Sequence, residues 1–292
     1  MNPKKTAIIF GSSGQDGYYL SKLLLKHKVN VVGVSRSSGD IIGSVSNIKL
    51  VSDILNKLRP DYIFHLAAKS STKNEYNVTN FNSIEVGTFN ILESVRQKGL
   101  NSKIFISGSA YQFKNLNEPI HENTELSSDN FYSFARNQSL ELSRFYRKEY
   151  GLKVYFGFLF NHDSPRRSDN FFCQKMLKLA HSCKNKNTSN KIHIGDLSYR
   201  REYSFAGDIM EAVFTFVMQD RVHEVVIGSG IAFSLKEWVF KCFEKYGLNC
   251  HDFIEYEFAD SKKTLVSSPK LIKSLGWVPD NDFKSLLSMM WK

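Results

Sequence analysis

The chain has 292 residues, 42% hydrophobic and 23% charged, and a formal charge of +10; that size holds one large α/β domain or a domain with a smaller lobe, and the composition is that of an ordinary soluble protein. No apolar run approaches the roughly 18 residues a membrane helix needs, and the start, Met1-Asn2-Pro3-Lys4-Lys5, runs directly into a strand pattern, which leaves no room for a signal peptide. The lysines are scattered rather than striped along one helix, which argues against nucleic acid and for a positive field that serves phosphate-bearing ligands.

Strand patterns occur at 5–10, 30–34, 48–51, 61–66, 102–107 and 153–160, short and apolar on both faces as buried parallel strands are. Helical patterns lie between several of them, at 15–28, 80–98 and 132–150; in the first, Leu20, Leu23, Leu24 and Leu25 crowd one side. This βα alternation predicts an α/β fold, a doubly wound parallel sheet of the Rossmann type, over residues 1–160. After Phe160 the rhythm changes. A polar stretch at 184–191 reads as an exposed loop, and helical patterns follow at 205–219, 234–247 and 281–291. The expectation is a smaller C-terminal substrate lobe over 161–292, with 205–228, including a strand at 223–228, returning to the first domain. The four cysteines, Cys173, Cys183, Cys242 and Cys250, form no Cys-x-x-Cys pair and no zinc pattern, so they read as thiols in a reducing compartment, the cytoplasm, with no metal bound.

Gly11-Ser12-Ser13-Gly14-Gln15-Asp16-Gly17 follows the first strand and opens the first helix. Glycines there let the backbone turn tightly and approach a pyrophosphate, and the helix N-terminus offers free N–H groups. Gly11, Ser13, Gly14, Gln15, Asp16 and Gly17 are therefore candidate contacts to a nicotinamide dinucleotide. The second strand ends in Ser35-Arg36 with no acidic residue; Arg36 is placed to pair with a 2′-phosphate, which favours NADP over NAD. Asp53, expected after a third strand, is a candidate adenine contact or the cap of the next helix.

Several segments resemble one family. Ile9-Phe10-Gly11 through Gly17-Tyr18-Tyr19-Leu20, Arg59-Pro60-Asp61-Tyr62-Ile63-Phe64-His65-Leu66-Ala67-Ala68-Lys69-Ser70, and Leu159-Phe160-Asn161-His162-Asp163-Ser164-Pro165-Arg166-Arg167 are similar to GDP-mannose 4,6-dehydratases, the second also to GDP-4-keto-6-deoxymannose reductases. The resemblance implies an extended short-chain dehydrogenase, a GDP-linked sugar as substrate and a homo-oligomer, dimer or tetramer, with no nucleic-acid or membrane partner. It places Leu66, Ala67 and Ala68 at the cofactor, and Ser70, Asn161, Arg166 and Arg201 at the substrate. In the family a Tyr-x-x-x-Lys pair moves the hydroxyl proton while hydride moves to or from nicotinamide; the match here is Tyr132-Ser133-Phe134-Ala135-Arg136, with arginine replacing lysine. These two are not interchangeable.

The family's Ser/Thr-Ser-Glu stretch falls on Gly108-Ser109-Ala110, so the glutamate that serves the elimination is an alanine, which cannot act as an acid or base. Ser109 remains as a hydroxyl aligner. Near the C-terminus, Phe258-Ala259-Asp260-Ser261 replaces the family's Arg-Pro-x-Glu ribose contacts. The expected activity is NAD(P)-dependent oxidation or reduction at carbon 4 of a GDP-hexose or GDP-heptose, in surface-polysaccharide sugar biosynthesis, with Tyr132, Arg136 and Ser109 at the chemistry. The alternatives are a 4,6-dehydratase with a relocated acid, and a catalytically inactive relative that binds cofactor or sugar nucleotide.

Overall fold

The computed structural model describes residues 4–184, 191–257, 259 and 263–291. Strand β1 (Thr6–Phe10) leads to helix α1 (Gln15–Lys26), then β2 (Asn30–Ser35), β3 (Ile41–Ile42), α2 (Ile48–Leu58) and β4 (Tyr62–His65). A short helix α3 (Asn77–Asn80) runs through a π-helical turn, Phe81–Val86, into α4 (Gly87–Gln97). Next come β5 (Lys103–Ser109), α5 (Phe131–Tyr150), β6 (Lys153–Leu159), β7 (His162–Asp163), α6 (Phe172–Cys183), β8 (Ile192–Ile194), β9 (Arg200–Glu202), β10 (Ser204–Phe205), α7 (Ala206–Val217) and β11 (Glu224–Ile227). The chain ends with β12 (Ala232–Ser234), α8 (Leu235–Glu244), β13 (Ile254–Tyr256), β14 (Thr264–Leu265), α9 (Lys270–Ser274) and α10 (Phe283–Met290).

Seven parallel strands form the main sheet in the order β11-β6-β5-β4-β1-β2-β3. The order reverses between β1 and β4, the switch point where open α/β sheets leave a crevice at the carboxyl ends of their strands. Both faces of the sheet are buried, which is why its strands are apolar throughout. In β5, Ile104 and Ile106 enter the core under α2, α4 and α5 with Leu92 and Leu140; Phe105 enters the opposite core under α1 and α7 with Leu20 and Phe216. Residues 206–227 return to this sheet, α7 covering its second face and β11 extending its edge beside β6. A third core joins α6, α8 and α10 around the fully buried Trp238, which stacks on Tyr203 with ring centroids 5.0 Å apart. Buried Glu202 ties the lobe together by accepting from the N–H groups of Ser229 (2.6 Å), Gly230 (3.2 Å) and Ser267 (2.5 Å).

One predicted strand is a helix. Residues 48–51 open α2, where the Asn47 side chain caps the helix by accepting from Leu50 N–H at 3.1 Å. Val51, Ile54 and Leu55 share its buried stripe; a four-residue apolar window is too short to separate that period from a strand's. Helix α6 was absent from the expected elements; its N-terminus has no side-chain cap to mark it. The predicted loop at 184–191 lies, for 185–190, outside the described residues, as do positions 258, 260 and 261 of the C-terminal ribose stretch. All four cysteines are free and buried, and burial pushes the Cys173 thiol well up and the Cys250 thiol to about 12. Among the described residues no helix is long and apolar enough to cross a membrane.

Candidate active site

The glycine loop sits at the switch point. Gly11 has φ +94°, and a Cβ there would lie 2.7 Å from the Ala67 nitrogen; only glycine turns the chain and lets β1 approach β4 so closely. A Cβ at Gly17 would lie 2.5 Å from the Gly11 carbonyl oxygen, so this glycine lets α1 press on its own loop. Gly14 differs. Its φ is −74°, and a Cβ would meet only the Gly11 oxygen at an ordinary 3.4 Å. The fold leaves space at Gly14, at an α1 N-terminus that no side chain caps. Open space beside uncapped N–H groups fits a pyrophosphate.

Beside this loop lies a cavity of about 330 Å³, whose lining includes Ser13, Gly14, Arg36, Ala67 and Ala68. Arg36 is exposed at its mouth. These residues fit the adenosine half of a dinucleotide, and Leu66, which lines this cavity and the next, marks the passage to the other half. Asp53 is not part of this arrangement: with no strand at 48–51, it falls in mid-helix on an exposed position of α2, and Asn47 is the cap. The side chains of Gln15 and Asp16 also turn away, toward β7. Gln15 Nε2 donates to the His162 carbonyl (3.4 Å) and its Oε1 accepts from Ser164 (2.8 Å); Asp16 pairs with His162 Nε2 at 3.0 Å. Only their backbone N–H groups are left for a phosphate.

The second cavity, about 460 Å³, is lined by Tyr132, Arg136 and Ser109. Tyr132 and Arg136 reach it from the start of α5, which Asn130 caps by accepting from Ser133 N–H at 3.0 Å. Spacing of i, i+4 puts both on one helical face, and both are buried, 6% and 3% exposed. Arg136 Nε donates to the Tyr132 hydroxyl oxygen at 3.3 Å, while Nη1 donates to the Ser107 carbonyl and, at 3.0 Å, to its hydroxyl. The guanidinium thus clamps the tyrosine to the end of β5, a two-sided contact that an ammonium's compact charge reproduces poorly. Its charge also acts on His65 below, whose pKa falls to about 3 through burial first and Arg136 second. Neither His65 nitrogen makes a hydrogen bond of normal geometry, although the backbone of Ser83 and Ile84 stands near.

Strand β5 brings two hydroxyls to the cavity, Ser107 and Ser109, and that of Ser107 already donates to the His65 carbonyl at 2.9 Å and accepts from Arg136 at 3.0 Å. A Cβ at Gly108 would lie 2.4 Å from the Phe156 ring and 2.6 Å from Gln112 Oε1, so position 108 points into the core and has no room for a threonine. Ser109, on the alternate face, lines the cavity; its oxygen accepts from Tyr111 N–H at 3.3 Å, which leaves its own proton to donate. Ala110 also lines the cavity and offers no acid.

The far wall is cationic. Arg201 is stacked 5.4 and 5.3 Å from the rings of Phe172 and Tyr203, with its Nε buried and lacking a normal hydrogen bond. Asn161 Oδ1 is likewise buried and unbonded. Two orphaned polar groups facing one cavity await a polar ligand. Ser70 lines the same cavity. Arg166, expected at the substrate, does not: it is exposed, 4.0 Å over the Tyr18 ring, because the turn after β7 aims the next residue inward instead. Arg167 lines the cavity, 3.6 Å from Asp163. The sequence reading also missed Lys69, Lys73, His162 and Lys175 as lining residues; only the motif context of Lys69 and His162 pointed there.

A model of the family described as GDP-mannose 4,6 dehydratase matches residues 8–290. GDP-mannose 4,6 dehydratase 1 of Arabidopsis thaliana is 26% identical, covering 99% of this chain and 90% of its own; the Vibrio cholerae GDP-mannose 4,6-dehydratase is 25% identical, covering 98% and 92%. Among solved structures, RMD from Pseudomonas aeruginosa complexed with NADPH aligns with a TM-score of 0.84 at 18% identity, over 99% of this chain and 98% of that one. UDP-glucose 4-epimerase from Thermus thermophilus, complexed with NAD, gives 0.84 at 18% over 98% and 97%. Likeness at such identities shows a shared fold alone. With a family match that runs almost from end to end, the chain belongs to the GDP-mannose 4,6-dehydratase family.

Proposed function

We propose that this protein is a cytoplasmic NAD(P)-dependent enzyme that oxidises or reduces carbon 4 of a GDP-linked hexose or heptose for surface-polysaccharide synthesis. In this reading residues 1–160 bind the dinucleotide, with Arg36 favouring NADP, and 161–292 mainly hold the substrate. The carrying observation is the contact of Arg136 with the Tyr132 hydroxyl and β5, in a cavity where position 110 is alanine. A nicotinamide held by the glycine loop would supply or accept the hydride. Tyr132 takes the carbon 4 hydroxyl proton in oxidation and returns it in reduction, and Arg136, by donating to the phenol oxygen, holds that oxygen in place. Ser109 orients the sugar oxygen; Arg201 and Asn161 hold the pyrophosphate. The exposed rings of Phe89 on α4 and of Phe134 and Phe145 on α5 support a homo-oligomer in which these helices meet a second copy.

The family match favours a second reading, the 4,6-dehydratase. Among the described lining residues its acid would be Asp16 or Asp163, each already facing a cation, His162 or Arg167. Incubation with GDP-sugars and cofactor separates the readings. A change in nicotinamide absorbance with retention of the carbon 6 hydroxyl supports the oxidoreductase. A 4-keto-6-deoxy product without net redox change, abolished by Asp163→Asn or Asp16→Asn, supports the dehydratase. Binding without turnover identifies an inactive relative.

A further inference from the structure

One stretch of the wall of the 460 Å³ cavity, Lys69–Lys73, carries two lysines and no acid. Leaving β4, the chain passes Ala68, which packs on Tyr132 and Ile84, and goes straight into Lys69-Ser70-Ser71-Thr72-Lys73, all five of which line the cavity. The turn is held by Ser71 N–H on the Lys69 carbonyl (2.7 Å), Lys73 N–H on the Ser71 hydroxyl (3.3 Å) and Asn80 Nδ2 on the Ser71 carbonyl (3.0 Å). Lys69 Nζ stands 4.8 Å from the centroid of Tyr76, another lining ring. The two carboxylates of the cavity, Asp16 and Asp163, each have their own cation at 3.0 and 3.6 Å. Lys69 and Lys73 therefore line the cavity on the turn that follows Ala68, the neighbour of Tyr132, with no ion pair to a carboxylate of the lining.

A pyrophosphate accounts for Arg201, not for these. We propose that the sugar itself bears an anionic group, a carboxylate at carbon 6, seated against Lys69 and Lys73. The proposal rests on the reading of this cavity as a nucleotide-sugar site. It also accounts for Ala110. A carboxylate at carbon 6 has no hydroxyl to expel, so elimination across carbons 5 and 6 has no leaving group, and an acid at 110 would serve nothing and, ionised, would repel the substrate. The same sugar still presents a carbon 4 hydroxyl to Tyr132.

The test is calorimetric binding of GDP, GDP-mannose and GDP-mannuronate to the native protein and to the Lys69→Gln/Lys73→Gln double variant. Two partly exposed ion pairs, each worth about 2- to 5-fold, should make GDP-mannuronate bind about 10-fold more tightly than GDP-mannose. The double variant should erase that preference while GDP itself binds as before. Equal affinity for the two sugars in the native protein, or a preference that the double variant leaves intact, overturns the proposal and leaves the nucleotide-sugar reading standing. If the folded protein binds neither GDP nor either sugar, that reading falls and the proposal with it.

Discussion

The glycine loop and the end of β5 constrain their residues unequally. At Gly11–Gly17 the backbone dictates the residue: Gly11 needs φ +94° and Gly17 has no space for a Cβ. At the end of β5 the strand stays paired with β6 through Ser109, and Ser109 and Ala110 there line a cavity without being fixed by any backbone requirement. A cofactor loop is a shape that many atoms enforce at once, so substitution there costs folding as well as binding. An acid at a strand end touches only substrate, and a single exchange changes the chemistry while the frame stands. Arg136 is anchored at three points, to the Tyr132 hydroxyl and to the carbonyl and hydroxyl of Ser107.

Gly14 gives the sharpest way to break this contrast, because the fold itself leaves room there. Gly14→Val should abolish nicotinamide dinucleotide binding while the melting temperature falls by only about 2–4 °C, since exchanging a glycine N-cap for valine costs about 1 kcal/mol. Gly17→Val, by contrast, should lower stability itself. Fluorescence titration with NADPH and NADH beside thermal melts tells the two apart; unchanged cofactor affinity in Gly14→Val would show that the loop is not the pyrophosphate site.

At the chemical end, Tyr132→Phe should slow the hydride step about 100-fold or more with cofactor affinity intact, because only the proton relay is removed. Arg136→Lys asks whether the clamp is tuned. If the two-sided contact with Tyr132 and Ser107 matters, lysine will weaken single-turnover rates, since a point charge cannot make both contacts. Unchanged rates in both variants would remove the pair from the mechanism.

A smaller effect is expected at Arg36. Arg36→Asp should shift preference from NADP toward NAD by about 10- to 100-fold, the worth of one charge-assisted hydrogen bond. Identical Kd ratios before and after the change would make Arg36 a surface residue.

The parallel sheet was legible because its strands are apolar on both faces and separated by long helical patterns, and the returning strand at 223–228 was visible for the same reason. The glycine loop was legible because its residues are dictated locally. The cavity's far wall was not. Arg166 and Arg167 are adjacent, and only the turn after β7 decides which faces inward. Asp53 was misplaced because its role hung on a strand that α2 replaces. The direction of Gly108 depends on Phe156, contributed by the neighbouring strand β6. Nor could the spacing of Gly-Gln-Asp-Gly and Asn-His-Asp-Ser reveal that these segments bond to each other across nearly 150 residues.

That last contact joins the glycine loop to β7 and carries the smallest predicted effect. His162 is 8% exposed; its Nε2 meets Asp16 at 3.0 Å, and its Nδ1 meets the Phe160 carbonyl at 2.7 Å. Burial opposes charge on both partners, and nearby Arg167 opposes it on His162, yet their mutual attraction prevails: the His162 pKa lies above its ordinary 6.5 and the Asp16 pKa below its ordinary 3.8. The signs then fix a window. His162, raised on folding, contributes stability that is complete below about pH 6.5 and is lost as pH rises through its folded pKa. Asp16, lowered on folding, contributes stability that is present above about pH 3.8 and is lost as pH falls through its own. The pair therefore stabilises most between about pH 4 and 6.5. His162→Gln should cost about 2 kcal/mol in that range, the scale of a charged hydrogen bond, and progressively less toward pH 9. Urea unfolding of both proteins at pH 5, 7 and 9 measures the difference directly. A cost that is flat with pH would mean that His162 is a neutral packing residue and that the contact joins the glycine loop to β7 by shape alone.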